Sequence, residues 1–130
     1  MIANEVCSGI VLIVRMGAVF QKAVRELCEI CAKLTDDLDV EQLDAATKRI
    51  HALTYPLAFD DIRALISLLP QNGDTASGLN WSILHAIETS PDWPMWELLE
   101  DQRSEWVRIF RLRLANGGFS PPAENDPASA

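Results

Sequence analysis

The sequence is poor in positive charge and in cysteine, and each shortage excludes a class of protein. The sequence has eleven basic and nineteen acidic side chains, so the net charge is -8. Nucleic acids and anionic membranes bind basic surfaces, and neither is therefore an expected partner. The three cysteines, Cys7, Cys28 and Cys31, form no regular framework, which argues against a secreted disulfide scaffold.

Long apolar runs are also missing. The run GIVLIV (9–14) is far too short to cross a membrane. It follows Glu5 and no lysine or arginine, so it lacks the charged start of a secretory signal, and we expect a cytoplasmic protein. Residues 1–15 are interpreted as a strand-like or non-native extension, because IVLIV is β-branched and Met16 offers a second start.

The chain does have apolar residues, at 48% of 130 positions, which suits one globular domain. Its acidity is uneven. Residues 60–101 contain eight acids and a single base, Arg63, whereas the remainder has eleven acids and ten bases. Such a block either steers a cationic partner or forms a solvated face that keeps the protein soluble.

Helical periodicity dominates from about residue 18. The first predicted helix has an apolar stripe at spacings of three and four: Phe20, Val24, Leu27, Cys28, Cys31 and Leu34. Expected starts of the later helices are Asp39 with Gln42 as a capping box, Asp60, Ser77 or Gly78, Asp92 and Ser104. Expected stops are Pro56, Pro70, Pro91 and the pair Gly117–Gly118.

These signals predict an all-α domain over residues 16–118. About six helices are expected, in antiparallel pairs, either as a HEAT-like stack or as a compact bundle. Residues 119–130 have the composition of a disordered tail.

Three chemically active side chains share one face of the fourth predicted helix. Trp81, His85 and Glu88 lie roughly opposite an aliphatic arc, so this face either packs on a neighbouring helix or awaits a partner. A metal site needs further ligands, and only His51 and cysteines without matching spacing remain. We therefore interpret His85 and Glu88 as hydrogen-bonded residues between helices and expect no catalytic residue, metal or cofactor.

The pair Cys28 and Cys31 has the spacing of a redox C-x-x-C motif. Redox pairs sit at a helix start after a strand, where the thiol pKa is lowered. Here the pair lies late in an apolar helical stripe, so buried small hydrophobes are the better interpretation.

Arg113 falls within the apolar arc of the last predicted helix, whose inward side chains include Trp106 and Phe110, while Arg108 and Arg111 point away. A guanidinium there needs a carboxylate partner unless its stem reaches out to water. We hypothesise an ion pair with Glu88.

The segment 90–101 places Trp93, Met95 and Trp96 among acidic side chains. Aromatic anchors ringed by charge are typical of a protein-binding surface, although both tryptophans can instead seal the end of the helical stack. The candidate partner-binding residues are Asp92, Trp93, Trp96, Glu97, Glu100 and Asp101.

The run WSILHAIE (81–88), Trp106 and the run RLAN (113–116) resemble a group of small bacterial immunity proteins from polymorphic toxin systems. The loop 71–78 also resembles the acidic loop of these proteins, and the resemblance covers about residues 59–117. Ala115 departs from the leucine-like residue expected there.

The resemblance implies a cytoplasmic, non-enzymatic protein that binds one cognate toxin domain and blocks its active site or its access to substrate. Trp81, His85, Glu88, Trp106 and Arg113 would then be structural. Many such toxins are basic nucleases, and the resemblance includes this class of partner. A helical adaptor without a toxin partner is the alternative, and the oligomeric state stays open.

Overall fold

The computed structural model describes residues 20–121, and every regular element among them is helical. The all-α prediction is confirmed for this part of the chain. The helices are α1 (Lys22–Ile30), α2 (Val40–His51), α3 (Phe59–Ser67), α4 (Leu79–Glu88) and α5 (Glu105–Asn116), with a short 3-10 turn at Trp96–Leu98. The interpretations of residues 1–15 and of the tail from residue 122 onward lie outside the described residues.

Several predicted helix ends are found in place. Asp39 and Gln42 form a reciprocal capping box, because Asp39 Oδ1 accepts the Gln42 N–H at 2.8 Å and Gln42 Oε1 accepts the Asp39 N–H at 3.1 Å. Ser104 caps α5 through its hydroxyl. Gly78, with φ +91°, precedes α4, and Gly117 ends α5.

Two helices differ from the prediction at their ends. α1 is shorter than expected, and Cys31 and Leu34 are buried in the turn after it rather than on the helix. Burial of both Cys28 and Cys31 agrees with the interpretation as small apolar residues. Asp60 does not cap α3, which begins after Ala58.

The fifth predicted helix is absent. Where Asp92 was expected to cap an α-helix, the chain forms only the 3-10 turn, so five α-helices stand in residues 20–121 instead of six. Pro91 and Pro94 both lack an N–H, and each disfavours the α conformation in the residue before it. The few residues left before Ser104 are too short for a stable helix of their own.

The first three helices alternate in direction. At one end of the bundle, the Leu34 N–H donates to the Leu68 carbonyl at 2.7 Å, which joins the loop after α1 to the loop after α3. At the other end, the Gln21 side chain donates to the Thr54 carbonyl at 3.2 Å and to Asp61 Oδ2 at 3.2 Å. These contacts fix α1 antiparallel to α2 and parallel to α3.

The last two helices, which correspond to the fourth and sixth predicted helices, run parallel. Trp81 and Trp106, near the starts of α4 and α5, are in ring contact, and Glu88 and Arg113, near their ends, form an ion pair. Residues 89–104 must therefore return along the bundle between the two helices. This return is what brings the 3-10 turn and its acidic side chains to the surface.

Candidate protein-binding surfaces

Helix α4 has the two unlike faces that its sequence predicts. Ile83, Leu84 and Ile87 are fully buried in the single hydrophobic core. On the other side Trp81 is 38% exposed, and His85 is exposed as well. The second face therefore meets solvent along much of its length.

Trp81 and Trp106 form an edge-to-face pair, with ring centroids 4.9 Å apart and an interplanar angle of 73°. Trp106 is 1% exposed, and its Nε1–H donates to the Asp74 carbonyl at 2.9 Å. Trp106 therefore has the position that a structural role requires. Trp81 packs on Trp106 through this contact and still exposes 38% of its surface to solvent.

His85 does not have the environment expected for it. It lies 6.5 Å from Trp81 between ring centroids, and its side chain makes no hydrogen bond to the residues between 20 and 121. The expectation of a hydrogen-bonded histidine between helices is wrong, because this side chain is exposed. Within the same residues, no group of three histidine, cysteine or acidic side chains is arranged to hold a metal ion.

The predicted ion pair between Glu88 and Arg113 is confirmed. The guanidinium donates from Nε to Glu88 Oε2 at 2.7 Å and from Nη2 to Oε1 at 2.8 Å. The Arg113 side chain is 41% exposed, so the pair is at the surface and not in an apolar interior as expected. These hydrogen bonds to Glu88 raise the pKa of Arg113 above its ordinary value.

Residues 92–101, which we call the acidic flank, divide into inward and outward side chains. Met95 and Leu99 are buried, and Trp93 packs on Phe110 with ring centroids 5.1 Å apart. Trp93 Nε1 is buried without a hydrogen-bond partner among the described residues. Trp93 therefore packs against the last helix, and a structural role was one of the two roles expected for it.

The carboxylates of the acidic flank point outward. Asp92, Glu97 and Glu100 are exposed and have no basic partner within residues 20–121. Asp101 differs, because Arg103 Nε donates to it at 2.9 Å and lowers the pKa of this carboxyl. Three of the four predicted acids are therefore available to a partner.

An apolar groove of about 260 Å³ lies beside the acidic flank. Arg111 does not point away as predicted: its guanidinium stacks 5.7 Å from the Trp96 ring centroid and donates to the Leu99 carbonyl at 2.9 Å. Leu112 is 62% exposed and Phe119 is 51% exposed. The groove is lined by Trp96, Arg111, Leu112, Ala115, Phe119, Ser120 and Pro121.

Three loops meet at the other end of the bundle in a region that we call the loop end, residues 31–41, 68–81 and 99–105. The fully buried Asn80 donates from Nδ2 to the carbonyls of Leu34 at 2.9 Å and Asp74 at 2.8 Å. Asp36 Oδ1 accepts the Ala76 N–H at 2.9 Å. The loops are thus joined mainly through backbone groups.

The loop end contains eight acidic and two basic side chains, whereas the other described residues have eight of each. All of the net negative charge of residues 20–121 is therefore at one end. The count of charges over residues 60–101 did not include this concentration of acidic side chains. Four of them lie far from that window along the chain, namely Asp36, Asp37, Asp39 and Glu41. Only the meeting of the loops brings these carboxylates together.

Comparison of the chain with protein-family models, with curated proteins and with solved structures finds no match.

Proposed function

We propose that this protein is an immunity protein that neutralises a cognate bacterial toxin domain in the cytoplasm. The observation that carries the proposal is the acidic flank beside the apolar groove. The carboxylates of Asp92, Glu97 and Glu100 are exposed, and the groove that Trp96 of the same flank lines has exposed Leu112 and Phe119. Apolar anchors in a polar rim are the usual anatomy of a protein interface.

The charge of the flank indicates a basic partner. A toxin that cleaves nucleic acid has a basic cleft, and an acidic inhibitor that occupies this cleft blocks access of the substrate. In this mechanism the protein supplies no catalytic group, metal or cofactor. Helices α1 to α3, which alternate in direction, are the part of the scaffold that we compare with a HEAT-like stack.

The test uses the toxin domain encoded beside this gene. We expect co-expression of the protein to restore the growth of cells that produce this domain. Binding of the purified pair is measured by surface plasmon resonance at increasing salt, and we expect the association rate to fall by about tenfold between low salt and about 0.5 M. A pair that neither binds nor restores growth would overturn the proposed function.

The docking surface is tested by reversing the three unpaired carboxylates together, as Asp92→Lys, Glu97→Lys and Glu100→Lys. We expect association to slow by at least about tenfold, with an unchanged unfolding midpoint because these side chains make no described contact. Asp101→Lys is a poor choice, since Asp101 holds Arg103 and Gln71. Association at the wild-type rate would mean that the toxin docks elsewhere.

The exposed groove also favours a second candidate, a helical adaptor that self-associates through its apolar side chains. Leu112 and Phe119 would then be covered in a dimer. A concentration-dependent dimer in analytical ultracentrifugation that Leu112→Ser abolishes would support the adaptor. A monomer at all concentrations would favour the immunity protein.

A further inference from the structure

We propose that the loop end is a second recognition surface, for a basic protein that places an arginine or lysine side chain on Trp81. The proposal goes beyond the acidic flank and holds whether or not the partner is a toxin. It starts from the second face of α4, which α5 contacts at Trp81 and Glu88 and on which Trp81 and His85 remain exposed. An exposed tryptophan in the first turn of a helix is a typical anchor residue for a protein partner.

Trp81 is held in position before any partner arrives. Its ring is in edge-to-face contact with Trp106, and Trp106 is fixed by a hydrogen bond from its indole N–H to the Asp74 carbonyl. A rigid aromatic side chain loses little conformational entropy when it is covered. The 38% of Trp81 that remains exposed is thus preorganised for contact.

The charge around this indole selects the partner. The Asp74 carbonyl accepts the hydrogen bond of Trp106, on which Trp81 packs, and the Asp74 carboxylate accepts the Asp36 N–H at 3.0 Å, so two acidic residues lie beside Trp106. The loop end as a whole has six more acids than bases. An aromatic face within a negative field favours a cationic side chain, because the face of the ring is itself negative.

The loop end shares Glu100 and Asp101 with the acidic flank, so the test uses residues that belong to one surface alone. Asp37 lies only in the loop end and Glu97 only in the flank, and both side chains are exposed. Asp37→Lys and Glu97→Lys therefore make the same change in charge at different places. Trp81→Leu keeps apolar packing on Trp106 and removes the aromatic face.

The experiment titrates the full isotope-labelled chain with an amidated peptide of alternating arginine and glycine, at low salt, by nuclear magnetic resonance. The four tryptophan indole N–H signals report separately on the two surfaces. We expect the Trp81 signal to move most, and both Asp37→Lys and Trp81→Leu to weaken peptide binding by at least about threefold. Glu97→Lys should weaken it by less than about twofold.

A matched peptide of glutamate and glycine should leave the Trp81 signal in place. Three results would overturn the proposal: movement of the Trp93 or Trp96 signal without Trp81, equal loss of binding in both lysine variants, or an equal response to the glutamate peptide. These outcomes are independent of the toxin experiment, which reads growth and the flank carboxylates. Failure of one proposal therefore leaves the other standing.

Discussion

The ion pair between Glu88 and Arg113 gives the sharpest quantitative prediction. It consists of two hydrogen bonds at 2.7 and 2.8 Å, and the Glu88 side chain is 23% exposed against 41% for Arg113. Exposed pairs contribute about 0.2–1 kcal/mol, and two-point geometry with partial burial is at the upper limit. We therefore expect a coupling of about 1 kcal/mol.

The coupling is measured by a double-mutant cycle with Glu88→Gln and Arg113→Gln, from urea unfolding of the four proteins. The pair of Lys48 and Asp44 is the matched control, because it has one contact at 3.2 Å and side chains that are 69% and 64% exposed. We expect about 0.3 kcal/mol for the control. In about 1 M salt both couplings should shrink, since charges are then screened over about 3 Å.

Two results would refute this reasoning. A coupling for Glu88 and Arg113 equal to that of the control would mean that the two-point geometry adds no stability. A coupling above about 3 kcal/mol would mean that the pair is desolvated, which the exposed fractions contradict.

Three further predictions concern the loops and their caps. Asn80→Ala should reduce the free energy of unfolding by about 1–3 kcal/mol, because the Leu34 carbonyl loses its buried side-chain donor while the Asp74 carbonyl keeps only Trp106; urea unfolding checks this, and a loss below about 0.5 kcal/mol would contradict it. Asp39→Ala should cost about 1 kcal/mol through loss of the capping box, again by urea unfolding, and an unchanged midpoint would count against it. The folded pKa of Asp101 is lowered by hydrogen bonds from Arg103, so its stabilising effect is present above the unfolded pKa and is lost as pH falls through the folded pKa. Arg103→Gln should raise the carboxyl midpoint of Asp101 in an NMR titration, and an unmoved midpoint would show that the pair does not persist in solution.

Local signals in the sequence predicted the helix caps well. The capping box at Asp39 and Gln42, the Ser104 cap and the Gly117 stop each depend on residues within one turn of each other. The predicted helix after Asp92 is absent. Asp92 is a favourable N-cap residue, but Pro91 and Pro94 lie beside it. There the proline restrictions decided the structure.

The candidate surfaces depended on packing that a helical wheel does not contain. The wheel placed Trp81, His85 and Glu88 on one face, and this is correct. It could not show that α5 runs parallel to α4 and that His85 stays exposed on that face. The same limit applies to Arg111, which packs on Trp96 through a contact that no local spacing indicates.

The way in which the three loops are joined has a consequence for how related proteins can diverge. Their geometry is held by main-chain carbonyls and by the side chains of Asn80 and Asp36. The outward side chains of Asp37, Val40 and Trp81 take no part in these bonds. Mutations at the outward positions can thus change the choice of partner over generations while the architecture beneath them stays the same.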